Sequence, residues 1–563
     1  VSKLRSVGGR LDKVNALEDQ KKWEEALIIY NNLFADYSTH AKEFSSRAHR
    51  LLLKRKFKAA VQTSVIGGTI YPADFLLRLQ RTTFYFIGLK WGKLLDVWRE
   101  KDHYHEKHIN LILARFECLK QLGKEKDAEE ALISGHHLYP KNPKLNLVVG
   151  KHFFVKEQWD RVPSFYKKAM EYGQILKTKE YVELATAELN KGNVEGANEA
   201  VLSGLTLYQN DKDLLLMAIE FAKEKQEWKD VIEQCSKAES VLQGETKYNE
   251  VLLTRSIALQ FSGKHREAKD CFNLFMKNNQ AGNERHKKFI LFDNGESRIE
   301  FYKHLGETNA IILTFDSINL TWRNDPFGYK LLAKQNIDIL SLRRRKVELC
   351  HQDLTADNYY KMVGKLVSGY EKKFAYGFSL GGYTSLYYAS ALKCDILSLS
   401  PRLSAHPIFG KGKYPKELFT HGLNFPYNEE ISPVIIYDPK DRRDNRFIEE
   451  NIKPAFPHAR YIKTDYSGHA TAPYLLKIGM LKTYVYCLLD GTDYPSLKRE
   501  NNYLSPNYLR ILASHCYRRG KLKWANVLVE RALAIDPNNK HGLKLRENIQ
   551  EKIKHENKVL LPV

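Results

Sequence analysis

The segment KKFAYGFSLGGYTSLYYASAL, residues 372–392, decides how this chain reads. Lys373–Phe378 has the composition of a short buried strand and Tyr383–Leu392 that of a helix, and Gly377-Phe378-Ser379-Leu380-Gly381 spans the joint. A serine placed there must occupy a strained turn, with its hydroxyl standing above the end of the strand. Side chains at Gly377 and Gly381 would clash with the turn and with the helix. The helix that follows aims its first amides at developing negative charge. The pattern is that of a nucleophile elbow; the plainer alternative is a Gly-rich turn with a helix-capping serine.

Around this segment, strand-like and helix-like stretches alternate. The predicted strands are Lys288–Phe292, Arg298–His304, Asn309–Asp316, Ile337–Arg343, Lys373–Phe378, Asp395–Ser400, Pro433–Tyr437 and Arg460–Thr464. Helices are predicted over Ala356–Val367, Tyr383–Leu392 and Ala472–Leu489. Short apolar strands alternating with helices predict a parallel or mostly parallel α/β sheet over residues 285–490.

A hydroxyl nucleophile needs a base, and the base needs an orienting acid, in the order Ser, Asp or Glu, His. Asp465-Tyr-Ser-Gly468-His469 follows one strand and offers His469 as the base. His351, His406 and His421 are worse placed and read as surface or internally satisfied histidines. Asp438-Pro-Lys-Asp441-Arg-Arg-Asp444 follows the preceding strand. Asp441 lies at the usual loop depth and is the expected acid, with Asp438 and Asp444 as alternatives. The oxyanion hole is expected to use the amide of Leu380, with a second amide from Asp316, Ser317 or Ile318, of which Ser317 is the chosen candidate. No GxxxxGK[ST] phosphate loop occurs, and no metal-ligand cluster is expected.

The N-terminal half is repetitive. Asn110–Pro143, NLILARFECLKQLGKEKDAEEALISGHHLYPKNP, spaces Gly123, Ala128, Gly135 and Pro140 as a tetratricopeptide repeat does. The Ala128-type position recurs at Ala26, Ala60, Leu94, Val162, Ala197, Val231 and Ala268, in steps of 34 to 37 residues. Aromatics precede it at Trp23, Phe57, Trp91, Trp159 and Trp228. Small residues at that period let two helices approach, so stacked helix pairs forming a superhelix are predicted. The pattern returns in Ser505–Asn538 with Ala513, Gly520, Ala525, Ala532 and Pro537. The expected organisation is therefore helical repeats over 1–284, an α/β domain over 285–490 and a basic helical repeat over 491–563.

Lys and Arg number 89 against 67 Asp and Glu, a net charge of +22. Residues 491–563 alone carry 14 basic and 7 acidic side chains. Such an excess favours anionic partners. Arg518, Arg519, Lys521 and Lys523 in the tail are the candidate substrate-binding cations, although a solvated face would look similar. No nucleic-acid-reading motif accompanies the charge, so nucleic acid is not an expected partner. With 43% apolar and 28% charged residues the composition is that of a globular protein, and disorder over most of the length is not expected. No apolar run is long enough to span a membrane, and Val1–Lys13 has no apolar stretch of signal-peptide type. Seven scattered cysteines without CxxC read as thiols in a reducing compartment.

Through Gly377-Phe378-Ser379-Leu380-Gly381, Asp441 and His469, the 285–490 segment resembles the α/β-hydrolase fold. A helical region preceding such a compact domain resembles bacterial capsular-polysaccharide O-acetyltransferases of the serine α/β-hydrolase type. That resemblance implies that Ser379 takes acetyl from acetyl-CoA, a donor substrate rather than a bound cofactor, and passes it to a hydroxyl of an anionic polysaccharide. Capsule-assembly proteins are the expected partners of the repeats, and the cytoplasm or the inner face of the membrane the expected location. The same triad would serve an esterase or deacetylase, and a scaffold with an inactive α/β domain is the non-enzymatic alternative.

Overall fold

The computed structural model describes residues 41–53, 56–71, 74–87, 108–279, 284–410 and 418–559, with a few isolated positions before residue 96. It comprises two compact units, Val1–Gln209 and Asn210–Val563.

The first unit holds helices α1 (Ala41–Leu53), α2 (Phe57–Ile70), α3 (Phe75–Ile87), α4 (Ile109–Gln121), α5 (Glu125–Leu138), α6 (Pro143–Val155), α7 (Val162–Glu171), α8 (Thr178–Asn190) and α9 (Val194–Leu207). The pairs α1–α2, α4–α5, α6–α7 and α8–α9 pack against each other as tetratricopeptide-like hairpins. The periodic small residues explain the packing. Ala60, Ala128, Val162 and Ala197 are all buried. A Cβ on Gly135 of α5 would lie 2.3 Å from the Ile112 side chain of α4, so a larger residue there would have to displace that side chain. Asn142 caps α6 by accepting from the Leu145 amide, and Pro143 occupies the first helical position. The repeat positions Ala26 and Leu94, and Trp23, lie outside the described residues.

The second unit begins with α10 (Lys212–Glu224), α11 (Trp228–Leu242), α12 (Tyr248–Phe261) and α13 (His265–Asn278), which continue the repeat and bury Val231 and Ala268. Eight strands follow: β1 (His286–Asp293), β2 (Ser297–His304), β3 (Ala310–Phe315), β4 (Asp338–Arg344), β5 (Lys372–Phe378), β6 (Asp395–Leu399), β7 (Val434–Tyr437) and β8 (Arg460–Lys463). Their order is β1-β2-β4-β3-β5-β6-β7-β8. From β4 to β8 the sheet is parallel, as expected. The hairpin β1–β2 pairs antiparallel at the β4 edge, because the turn over Asn294–Glu296 is too short for a crossover.

Helices α14 (Ala356–Ser368), α15 (Leu380–Ala389), α16 (Arg442–Phe447), α17 (Thr471–Lys477) and α18 (Leu481–Asp490) surround the sheet. The single helix expected over Ala472–Leu489 is two, since Gly479 at φ +75° ends α17. Alternate residues of one strand feed opposite cores. Ile311, Leu313 and Phe315 of β3 join Tyr359 and Val363 of α14, Leu386 of α15, and Phe272 and Phe275 of the last repeat helix. Ile312 faces Tyr474 and Leu475 of α17 and Tyr484 and Val485 of α18. Both faces being covered is why the strands read as unbroken apolar runs. The chain closes with α19 (Pro506–Arg518), α20 (Leu522–Ile535) and α21 (Lys540–Val559), which enclose Leu509, Ala513, Ala525, Val529, Ala532 and Ile549. Among the described residues no helix is long and apolar enough to cross a membrane.

Candidate active site

From β3 the chain builds outward to β4 on one side, and from β5 outward to β8 on the other. The crevice at the carboxyl ends of β3 and β5 is therefore the topological switch point of the sheet, where open α/β folds bind their ligands. Ser379 sits at that point with φ +60° and ψ −115°, a conformation that costs free energy for any residue with a Cβ. Backbone contacts hold it there. Its amide donates to the Leu399 carbonyl at 2.9 Å, and its carbonyl accepts from the Arg402 and Tyr383 amides at 3.0 Å each. A Cβ on Gly377 would lie 2.0 Å from the Gly381 carbonyl oxygen, and one on Gly381 2.1 Å from that of Phe315. Both glycines are thus dictated by backbone approach, as the GxSxG reading requires.

The Ser379 hydroxyl lies 2.8 Å from His469 Nε2. On the far side of the ring, His469 Nδ1 lies 2.8 Å from Asp444 Oδ2 and 3.1 Å from Oδ1. The carboxylate against His469 is that of Asp444, one of the two alternatives, and not that of the expected Asp441. The helix explains the difference. Asp441 is the N-cap of α16, and its Oδ1 accepts from the amides of Arg443 and Asp444. It also pairs with Arg402 at 2.7 Å. Asp444, one turn further on, is carried inward to the imidazole and is fully buried. An Asp three residues ahead of another acid at a helix start is itself a capping signal, and it could have assigned the two carboxylates from sequence.

Burial pushes the Asp444 carboxyl above its ordinary pKa, opposed by the hydrogen bond from His469 and by the charges of His469 and Arg402. Arg402 Nη2 lies 2.5 Å from Asp444 Oδ1 and so bridges both carboxylates. Asp438 has another role. It accepts from the Gly468 amide at 2.7 Å and the Lys440 amide at 2.8 Å, fixing the turn that presents His469.

Leu380 opens α15, so its amide is an unshared helix donor beside Ser379. Ser317, at the end of β3, lines the same cavity. Two fully buried arginines of β4, missed in the sequence reading, hold its loop. Arg344 Nη2 donates to the carbonyls of Ser317, Ile318 and Leu320 at 2.8 to 3.0 Å. Arg343 pairs with Asp316 at 2.6 Å and donates to the carbonyls of Thr321 and Asn324. Their sequence signal was two adjacent arginines ending an otherwise apolar buried strand.

The cavity beside Ser379 measures about 670 Å³. Of the four expected tail cations, Arg518 lines it; Arg519, Lys521 and Lys523 are exposed and do not. Lys521 and Lys523 lie beyond the turn at Gly520 (φ +71°), at the start of α20. Lys440, Arg442 and Arg510 line the cavity instead. His351, His406 and His421 stand apart from this cavity and bond within the fold, although the buried Nε2 of His351 has no hydrogen-bond partner among the described residues. His351 is fully buried against Ser297, and His406 accepts from and faces backbone groups. His421 stacks on Tyr387 and is depressed to about 4 by burial.

Fold and site together define a two-part protein: tetratricopeptide-like helix pairs joined to an α/β-hydrolase-like sheet with a serine, histidine and aspartate in register. No protein-family model and no curated protein matches the sequence. Among solved structures the chain is similar to the α/β hydrolase domain-containing protein 10 from mouse, at 13% identity and a TM-score of 0.28, covering 36% of this chain and 99% of that one. It is also similar to YrrB, described as a TPR protein with an unusual peptide-binding site (12% identity, TM-score 0.26, covering 33% and 91%). A third likeness is to the C-terminal part of a TPR repeat-containing protein from Cytophaga hutchinsonii (14% identity, TM-score 0.34, covering 42% and 93%).

Proposed function

We propose that the chain is a serine O-acyltransferase that carries acetyl from acetyl-CoA to hydroxyls of an anionic polysaccharide. The observation that supports it is the relay of 2.8 Å contacts from Ser379 through His469 to Asp444. In the first half-reaction Ser379 Oγ attacks the thioester carbonyl carbon while His469 Nε2 takes its proton. The oxyanion that forms is met by the Leu380 amide and the loop at Ser317. The C–S bond then breaks, CoA leaves with the proton returned by His469, and Ser379 is left as an acetyl ester. In the second half-reaction a sugar hydroxyl loses its proton to His469 and attacks that ester, and Ser379 leaves as the free alcohol. Asp444 keeps the imidazole in the tautomer that accepts at Nε2. In this reading the enzyme works in the cytoplasm or at the inner face of the membrane, and the helical repeats recruit capsule-assembly proteins.

The test is intact mass spectrometry of the chain after exposure to acetyl-CoA, beside CoA release with and without polymer. One acetyl on Ser379, passed to the polymer when it is added, supports the transferase. Acetate released at an unchanged rate, with no gain of mass by any sugar, assigns the site to an esterase. Cleavage of pre-acetylated polymer without acetyl-CoA turnover assigns it to a deacetylase.

A further inference from the structure

The wall of the Ser379 cavity is completed by the C-terminal repeat. Asn507 Nδ2 of α19 donates to the Ser467 carbonyl at 2.7 Å. The Ile511 side chain fills the space where a Cβ on Gly468 would stand, 2.4 Å away. Helix α19 is thereby seated on the turn that presents His469, and its Arg510 and Arg518 line the cavity. Lys440, from the turn after β7, and Arg442, the first residue of α16, line it as well.

These four cations have little to neutralise them. The acids in the lining are Asp438 and Asp441. Asp438 is engaged by backbone amides, and Asp441 by Arg402 and the start of α16. Among the described residues no carboxylate stands within ion-pairing distance of Lys440, Arg442, Arg510 or Arg518. Arg510 is held by a neutral partner, the Asn507 side-chain oxygen at 2.8 Å, and burial depresses its pKa. Arg510 is half-buried and Lys440, Arg442 and Arg518 are exposed, so a guanidinium partly removed from water stands among three solvated cations, an arrangement that a bidentately bound oxyanion would complement.

We propose that Arg510 and Arg518, with Lys440 and Arg442, form an anion subsite that selects substrates bearing a phosphate or carboxylate close to the group transferred at Ser379. It rests on the acyl-enzyme reading of Ser379 for its catalytic consequence, and on the cavity alone for binding. Phosphate would come from the donor and carboxylate from the acceptor, and two matched pairs separate these sources. Acetyl-CoA is compared with S-acetyl-pantetheine, and a sialic-acid oligomer with a neutral maltooligosaccharide.

Binding of CoA, pantetheine and the two oligosaccharides is measured by calorimetry on the full-length Ser379→Ala chain, where turnover is irrelevant. The charged member of at least one pair should bind about tenfold tighter or more, the scale of one charged hydrogen bond. Arg510→Gln and Arg518→Gln should each reduce that ratio, and Arg510→Lys, which keeps the charge, should retain part of it. Arg519→Gln, outside the cavity, should leave it in place. In the Ser379 chain the same variants should lower kcat/KM for the charged substrate more than for neutral p-nitrophenyl acetate. No preference for charge in either pair, or a preference that survives both Gln substitutions, overturns the subsite. Charge-selective binding without any acetyl-serine would retain the subsite and sink the acyltransferase instead.

Discussion

The helical repeats and the carboxyl edge of the sheet both depend on small residues, but the neighbours of those residues differ. A Cβ on Gly135 in the repeats meets the side chain of Ile112, which can shift. A Cβ on Gly377 or Gly381 at the elbow meets main-chain carbonyls, which cannot move without displacing a strand or helix. The repeats also distribute their packing over many equivalent positions, whereas the sheet edge uses each residue once. Tolerance in the repeats is therefore a property of redundancy, and intolerance at the elbow a property of backbone geometry.

The contrast should be greatest for chemistry. Ser379→Ala and His469→Ala are expected to lower turnover by several orders of magnitude, while thermal melting stays near that of the unaltered chain. A variant with full activity would remove the covalent step. Next comes the carboxylate pair. Asp444→Asn should cost on the order of 10³-fold or more in kcat, since the imidazole would lose its orienting charge. Asp441→Asn should cost far less, as a weakened helix cap. The reverse ranking, read from steady-state kinetics, would return the acid to Asp441.

A direct comparison of glycines follows. Gly381→Ala should abolish activity and sharply lower the melting temperature. Gly135→Ala should cost about 1–3 kcal/mol, typical of overpacking, and leave turnover at the sheet nearly intact. Equal losses would mean that the repeats are as rigid as the elbow. The fourth expectation concerns pH. His421, buried among tyrosines, is depressed from its ordinary value of 6.5 to about 4. Between those values the unfolded chain binds a proton that the folded chain does not, so stability falls as pH drops from about 6.5 to about 4. The full loss is on the order of 3 kcal/mol. His421→Gln should flatten that slope in chemical denaturation; an unchanged slope would assign it to other groups. The smallest effect is expected at the tail: Lys521→Glu with Lys523→Glu should change kcat/KM by less than about twofold, because both side chains lie outside the cavity.

Much of this molecule is carried by local pattern. The eight strands, the helix pairs and the elbow are each legible in a window shorter than 40 residues, because burial period, glycine placement and proline placement act over that range. Ser379 and His469 were legible for the same reason: each follows a strand, in the order that the chemistry requires. Which of Asp441 and Asp444 meets His469 is not legible in that way. Three residues separate them, and the outcome depends on the angle at which α16 leaves β7 and on where the His469 ring comes to rest.

The same holds for the tail. Arg518 and Arg519 are neighbours in sequence with the same charge, and only one lines the cavity. Arg510 carries no local signal, being one cation among the mixed residues of α19. Its place beside Ser379 follows from Asn507 and Ile511 seating α19 on the turn at Gly468. Composition and periodicity determine which elements form and which residues can react, since those follow from the chain's own neighbours. Which carboxylate meets His469, which arginines line the cavity and which buried cations hold the loop after β3 are settled by contacts between segments far apart in sequence. No local pattern encodes such contacts, because their energies exist only once the sheet has brought the segments together.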